Sequence, residues 1–237
     1  MSLTKINTPE YKLNIPSTDE EITYRPFLVK EEKILLVAQE TGGEKEQYLA
    51  IQNLIESCVS QDIAVDKLPM FDLEYIFLNI RAKSVGEIAK LTIVCPDDEK
   101  TTVPVEVDLT KINVVMGDDH DARIQLTDNI GILMSYPTMD IIEQYAVTGT
   151  PEPTEQLFKM IAECMFQIWE GEEVHDATDY SYKDKLSFIE SLSHGQFEKI
   201  QNFFETMPTL KHEIEVTNPN TKIKSTVILR GMQSFFE

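Results

Sequence analysis

The chain has 237 residues, of which 42% are hydrophobic and 8% aromatic, with 41 acidic against 21 basic side chains and a formal charge of -20. It is long enough to bury a core without disulfide staples and too apolar for wholesale disorder, while its negative surface disfavours nucleic acid and anionic membranes as primary partners. Three widely spaced cysteines, Cys58, Cys95 and Cys164, fit a reducing compartment, and with no signal-peptide core and no apolar run near the ~20 residues that span a bilayer, a soluble cytosolic product is expected.

YKLNI (11–15) and EITYRPF (21–27) read as two short strands around the turn PSTDE. Pro26 cannot donate to a ladder, so the second strand ends there or lies on an edge. From Val29 the period becomes helical, and Gly42-Gly43 supplies a stop. A second helix spans about Glu44 to Ser60, with Tyr48, Ile51, Leu54, Ile55, Cys58 and Val59 on one stripe. A third spans about Asp72 to Ser84, with Leu73, Ile76, Phe77 and Ile80 as its apolar face and Gly86 as terminator.

KLTIV (90–94) and TVPVEV (102–107) form a hairpin around CPDDEKT, echoed near the C-terminus by HEIEV (212–216), TNPNTKIK and STVILRG. Aligned on Pro96 and Pro219, the two segments share strand, polar turn and β-branched return. Between them the pattern is mostly helical: ARIQLT is a candidate strand, and the stretch after Pro137 reads as helix to about Tyr145. TGTPEPT then serves as linker. Leu157, Met160, Ile161, Cys164, Met165, Ile168 and Trp169 mark one amphipathic helix, and EGEEVHDATDY an acidic loop. Ser181 with Asp184, and Ser193 with Gln196, resemble capping boxes, and Pro208 closes a last helix carrying Phe197, Ile200, Phe203, Phe204 and Met207. The expected class is α+β, predominantly helical, with short antiparallel β-hairpins near the N-terminus, in the middle and near the C-terminus. Residues 1–146 and 147–237 are the expected domains, unless they form one integrated body.

Chemistry-bearing patterns are sparse. In GDDHDAR (117–123), Asp118, Asp119, His120 and Asp121 could ligate a divalent metal for hydrolysis, but adjacent residues rarely converge on one ion, and a solvated polar turn is the favoured reading. A zinc ribbon needs paired cysteines on two knuckles, whereas CPDD and NPNT offer one sulfur between them. No GxSxG, HExxH, P-loop or Rossmann pattern is present, so neither catalysis nor a cofactor is expected. Contact is the remaining mode of action. Phe235 and Phe236 are either core residues or partner anchors. Arg25 pairs locally with Glu31 or Glu32, reaches a carboxylate near Asp72, or reaches another chain; the local, architectural account is favoured. Arg81 is either partner-facing or a favourable charge at a helix C-terminus.

RPFLVKEEKILLVAQE, LPMFDLEYIFLNIRAKSVGE, LTIVCPDDEKTTVPVEVDL and LKHEIEVTNPNTKIKSTVILRGMQSFF together resemble the baseplate hub and hub-assembly proteins of T-even-type (T4-like) contractile-tailed bacteriophages. The resemblance runs in order over nearly the whole chain, and FDLEYIFLNIRAKSVGE is its most specific block. It implies a non-enzymatic morphogenesis protein, made in the infected bacterial cytoplasm, that contacts other hub and tail proteins and either stays in the baseplate or leaves as an assembly chaperone. Arg25, Phe27, Arg81, Phe235 and Phe236 are the contact candidates on this reading.

Overall fold

A computed structural model describes residues 7–41, 43–141 and 153–235. Strands β1 (Tyr11–Asn14) and β2 (Glu21–Tyr24) form the expected N-terminal hairpin. Helices α1 (Val29–Thr41), α2 (Glu44–Cys58) and α3 (Met70–Val85) follow, the last ending at Gly86 with φ 144°. Next come β3 (Ile88–Val94), β4 (Thr102–Asp108), β5 (Asn113–Val115), β6 (Arg123–Gln125) and β7 (Ile130–Met134). After α4 (Pro153–Cys164) come β8 (Met165–Glu170), β9 (Glu173–Asp176), α5 (Tyr182–Glu190), α6 (His194–Thr206), β10 (Thr209–Thr217) and β11 (Lys224–Arg230). Helix accounts for 42% and strand for 29%, in four antiparallel sheets, so the expected helical predominance gives way to an α+β mixture.

The difference comes from the middle of the chain. The apolar spacing from Leu157 to Trp169 predicts one helix, but the helix stops at Cys164, whose carbonyl accepts the backbone N–H of Ser135 at 2.7 Å. That acceptor is therefore committed elsewhere, and the β-prone MFQIWE pairs with β7 on one side and β9 on the other. The acidic segment expected as loop contributes β9 and a single 3-10 turn at 177–179. Of the helix expected after Pro137, only residues 138–141 are described, of which 139–141 are helical. TGTPEPT lies outside the described residues except for its last two positions.

Contacts divide the chain into two compact units, Met1–Val115 with Thr209–Glu237, and Met116–Pro208. The first unit loses the chain after Val115 and regains it at Thr209, two residues that are Cα partners where β5 pairs with β10. Its core joins Leu78 and Ala82 of α3 to Ala89, Leu91, Val107, Leu109, Ile112, Leu210, Leu229 and Phe235. In the second unit, the sheet β6-β7-β8-β9 packs Ile124, Ile132 and Met165 on Ile161, Ile189, Ile200 and Phe203 of its helices. Both expected capping boxes are present, with the Ser181 N–H donating to Asp184 and the Ser193 N–H to Gln196 Oε1 at 2.8 Å. Charge is uneven: the second unit carries eighteen Asp and Glu against five Lys and Arg.

One turn design recurs three times in the first unit. Buried Ile15, Cys95 and Asn218 each precede a proline, and the residue four positions on, Asp19, Glu99 or Lys222, has positive φ and donates its N–H back to that buried residue's carbonyl. The echo between the Pro96 and Pro219 hairpins is therefore a shared backbone solution, and Pro16 extends it to β1-β2. The two later turns touch. Asn218 Nδ2 donates to both Asp97 carboxylate oxygens (3.1 and 3.0 Å), the Thr221 hydroxyl to Asp97 at 2.5 Å, and Asn220 Nδ2 to Thr101 Oγ1 at 3.0 Å.

Helix α3 fastens the unit through polar side chains. Asp72, fully buried, accepts the Ser17 N–H at 3.0 Å and the Ser17 hydroxyl. Ser84 Oγ accepts the Phe27 N–H at 2.9 Å, and Glu74 accepts the Met232 N–H. Burial pushes the Asp72 and Glu74 carboxyls up, against the hydrogen bonds that favour their charged forms. Replacing Asp72→Ala removes the acceptor of both Ser17 donors, and urea unfolding should show a loss of about 2 kcal/mol, against about 1 kcal/mol for Ser17→Ala, which keeps the backbone bond to the buried carboxylate. In the second unit, a Cβ at Gly131 would sit 2.0 Å from Trp169 Cζ2 and 2.7 Å from the Ile124 carbonyl oxygen. Gly131→Ala should therefore cost about 3 kcal/mol in the same measurement, because a ladder backbone atom cannot yield.

Candidate contact surface at the N-terminal junction

Arg25 stands where β2 ends and the chain turns towards α1. Its backbone N–H donates to the Cys58 carbonyl at 3.0 Å, and its guanidinium reaches the Ser57 carbonyl at 2.8 Å and the Pro26 carbonyl at 2.9 Å. The last turn of α2 has no basic residue of its own, so Arg25 supplies the positive charge that its C-terminal dipole favours. The same guanidinium pairs with Glu31 Oε1 at 2.9 Å, and Glu31 Oε2 accepts the Leu28 N–H at 2.8 Å in the first turn of α1. Glu31 is only 3% exposed. Burial pushes its carboxyl up, but hydrogen bonds from Arg25, the Leu28 backbone and Lys30 outweigh that and hold it down at about 2. One ion pair thus joins the C-terminus of α2 to the N-terminus of α1, as the local reading of Arg25 expects.

This joint presents a helix whose exposed side carries large apolar side chains interspersed with the charged Lys30, Glu32, Lys33 and Glu40. α1 packs against α2 and turns Glu31 inward, with Leu35 and Ala38 half-buried. Val29 is 79% exposed, and Leu28, Ile34, Leu36 and Val37 between 42% and 51%. Val29 and Leu36, seven residues apart, lie on one outer stripe. The readable signal was the run ILLV (34–37), since four consecutive apolar residues cannot all face inward on a helix.

The other contact candidates are distributed within the same unit. Phe27 is half-buried, with its backbone tied to Ser84. Arg81, also half-buried, approaches the Gly86 carbonyl at 3.5 Å, the helix-end role. Phe235 is fully buried against the hairpins and α3, so its surface is spent on the core. Phe236 lies outside the described residues.

In the second unit, His120 is held in a polar and aromatic cage rather than aimed at its acidic neighbours. Its Nδ1 is 3.0 Å from Thr206 Oγ1, whose hydroxyl donates to the Asn202 carbonyl, and its Nε2 is 3.0 Å from the Tyr136 hydroxyl. The consistent assignment is a neutral imidazole that donates from Nδ1 to Thr206 and accepts at Nε2 from Tyr136. Burial lowers the His120 pKa, in keeping with that neutral form. Asp118, Asp119 and Asp121 are exposed, and Asp121 accepts the Arg123 N–H at 2.8 Å. Among the described residues, no group of three or more His, Cys, Asp or Glu could hold a metal ion. Cys58, Cys95 and Cys164 are free and buried, with burial pushing each thiol up, to about 11 at Cys58 and about 12 at Cys164.

A family model described as T4 bacteriophage base plate protein matches residues 8–237. No curated protein and no solved structure matches the chain.

The Glu31 geometry sets a pH dependence. A carboxyl held at about 2 in the folded chain, against an ordinary 4.5, contributes stability that is full above pH 4.5 and lost as pH falls towards 2. Glu31→Gln should cost about 2 kcal/mol at pH 7, and in thermal unfolding the gap between variant and parent should close between pH 4.5 and 2.

Proposed function

The chain belongs to the T4 bacteriophage base plate protein family, and from that premise we propose that it is a hub component or hub-assembly factor of a contractile tail, acting by protein–protein contact without turnover. The exposed apolar side chains of α1 carry this reading. Five large hydrophobic side chains lie exposed within ten residues, four of them on a helix whose N-terminal end is fixed by the Arg25–Glu31 pair. Grouped exposed apolar residues on a rigid element mark a place where another protein sits. The engagement of both His120 nitrogens in neutral hydrogen bonds supports the non-enzymatic side of the proposal.

The partners are other hub and tail proteins, met in the host cytoplasm during assembly. Co-expression with the hub proteins of the same phage should give a complex that survives size exclusion. Val29→Glu with Leu36→Glu should weaken it at least tenfold while shifting the thermal midpoint of the free protein little, because both side chains are already in water. Elution of the parent protein as an isolated species beside every hub partner would overturn the proposal. Mass spectrometry of purified particles separates a retained subunit from a factor that departs.

A further inference from the structure

The strand β11 edges the sheet β11-β10-β5, and its outer side is built differently from the other hairpin edges of the first unit. Asn218 N–H bonds to the Ile223 carbonyl and Gly231 N–H to the Leu210 carbonyl. With the register Lys211↔Arg230 to Thr217↔Lys224, this parity turns the N–H and C=O groups of Lys224, Thr226, Ile228 and Arg230 away from β10. Ser234 takes up the Arg230 end, its Oγ accepting the Arg230 N–H at 3.3 Å and donating to the Arg230 carbonyl at 2.6 Å. Lys224, Thr226 and Ile228 are left with a row of ladder groups that no described strand meets.

Strand β4 shows what a blocked edge looks like in this fold. The Cys95 N–H to Thr101 carbonyl bond sets its parity, so Pro104, opposite Thr92, points its ring nitrogen outward and removes a donor. Counted from the closing pair of each hairpin, Thr101 and Ile223, the position matching Pro104 is Thr226. β11 thus carries a donor where its sister hairpin carries a proline. On the outer edge of β3, Lys90 is already paired with Glu106 at 3.8 Å.

Charge selects the occupant. In a chain of net charge -20, β11 has no carboxylate and is bounded by exposed Lys222, Lys224 and Arg230, with Ile228 43% exposed between them. Among the described residues, no carboxylate pairs with Lys224 or Arg230. A second β11 laid antiparallel would set Lys224 against Arg230 at both ends, which like charge opposes. We propose that the outer edge of β11 receives an extended segment of another protein, acidic at two positions about 20 Å apart and β-branched between them, as an added strand. This deepens the docking reading and rests on it.

The probe is a labelled, end-blocked heptapeptide, Glu-Thr-Val-Thr-Thr-Thr-Glu, followed by fluorescence anisotropy against the full chain. It should bind saturably and more weakly as salt rises, and its Lys-ended counterpart should bind at least tenfold more weakly. Thr226→Pro, which copies β4 and removes only an outward N–H, should reduce binding at least tenfold. Lys224→Glu with Arg230→Glu, which leaves the ladder alone, should do the same and serves if the proline variant fails to fold. No saturable binding, equal binding of the two peptides, or unchanged binding by the variants overturns the proposal. If the parent forms the hub complex and the β11 variants form it equally well, the edge proposal falls and the docking reading stands. If the parent forms no complex, the docking reading falls whatever the peptide does.

Discussion

Helix α3 accepts backbone amides from three segments that lie far from it in the sequence. Ser17 in the first hairpin turn, Phe27 at the entry to α1, and Met232 beyond the last strand each donate to one of its side chains: Asp72, Ser84 and Glu74. Each bond contributes on the order of 1 kcal/mol net, but losing one partner leaves the other buried and unmade, which costs more. The apolar side of the same helix, with Leu78 and Ala82, is the floor on which both long hairpins pack. The block FDLEYIFLNIRAKSVGE therefore encodes an internal fastener, with Asp72, Glu74 and Ser84 turned to other segments of the unit while Lys83 pairs with the exposed Glu87.

The consequence reaches the surface. With its entry bonded to Ser84 and its first turn paired to Arg25, α1 is positioned by polar joints at its base, and its apolar side chains need not be buried to hold it there. An outer helix face that packing does not consume can be used for contact. The joined turns at Asp97 and Asn218 act similarly at the hairpin tips, where hydrogen bonds do the fastening. Family membership and this division between inner joints and outer apolar faces point the same way.

Much of the outline was legible because it rests on local chemistry. The first hairpin, the stop after α1, the stripe of α2, the Gly86 terminator and both capping boxes depend on residues within a few positions of one another. The failures are non-local. Nothing in MFQIWE announces that Ser135 will take the Cys164 carbonyl, or that β7 and β9 will flank the segment, and its apolar spacing fits a helix as well as a strand. Of the site, Arg25–Glu31 was readable from the dipole argument, whereas Asp72–Ser17, fifty-five positions apart, was not. The exposed apolar residues of α1 were written in ILLV, although burial is the commoner fate of such a run.

The account turns on α3 as the common anchor of the first unit, and residue-resolved amide hydrogen exchange tests that most directly. Under native conditions the Ser17, Phe27 and Met232 amides should be protected nearly as strongly as the centre of α3 and should lose protection together with it. Exchange of those three amides at the rate of exposed turns, while the centre of α3 stays protected, would contradict it.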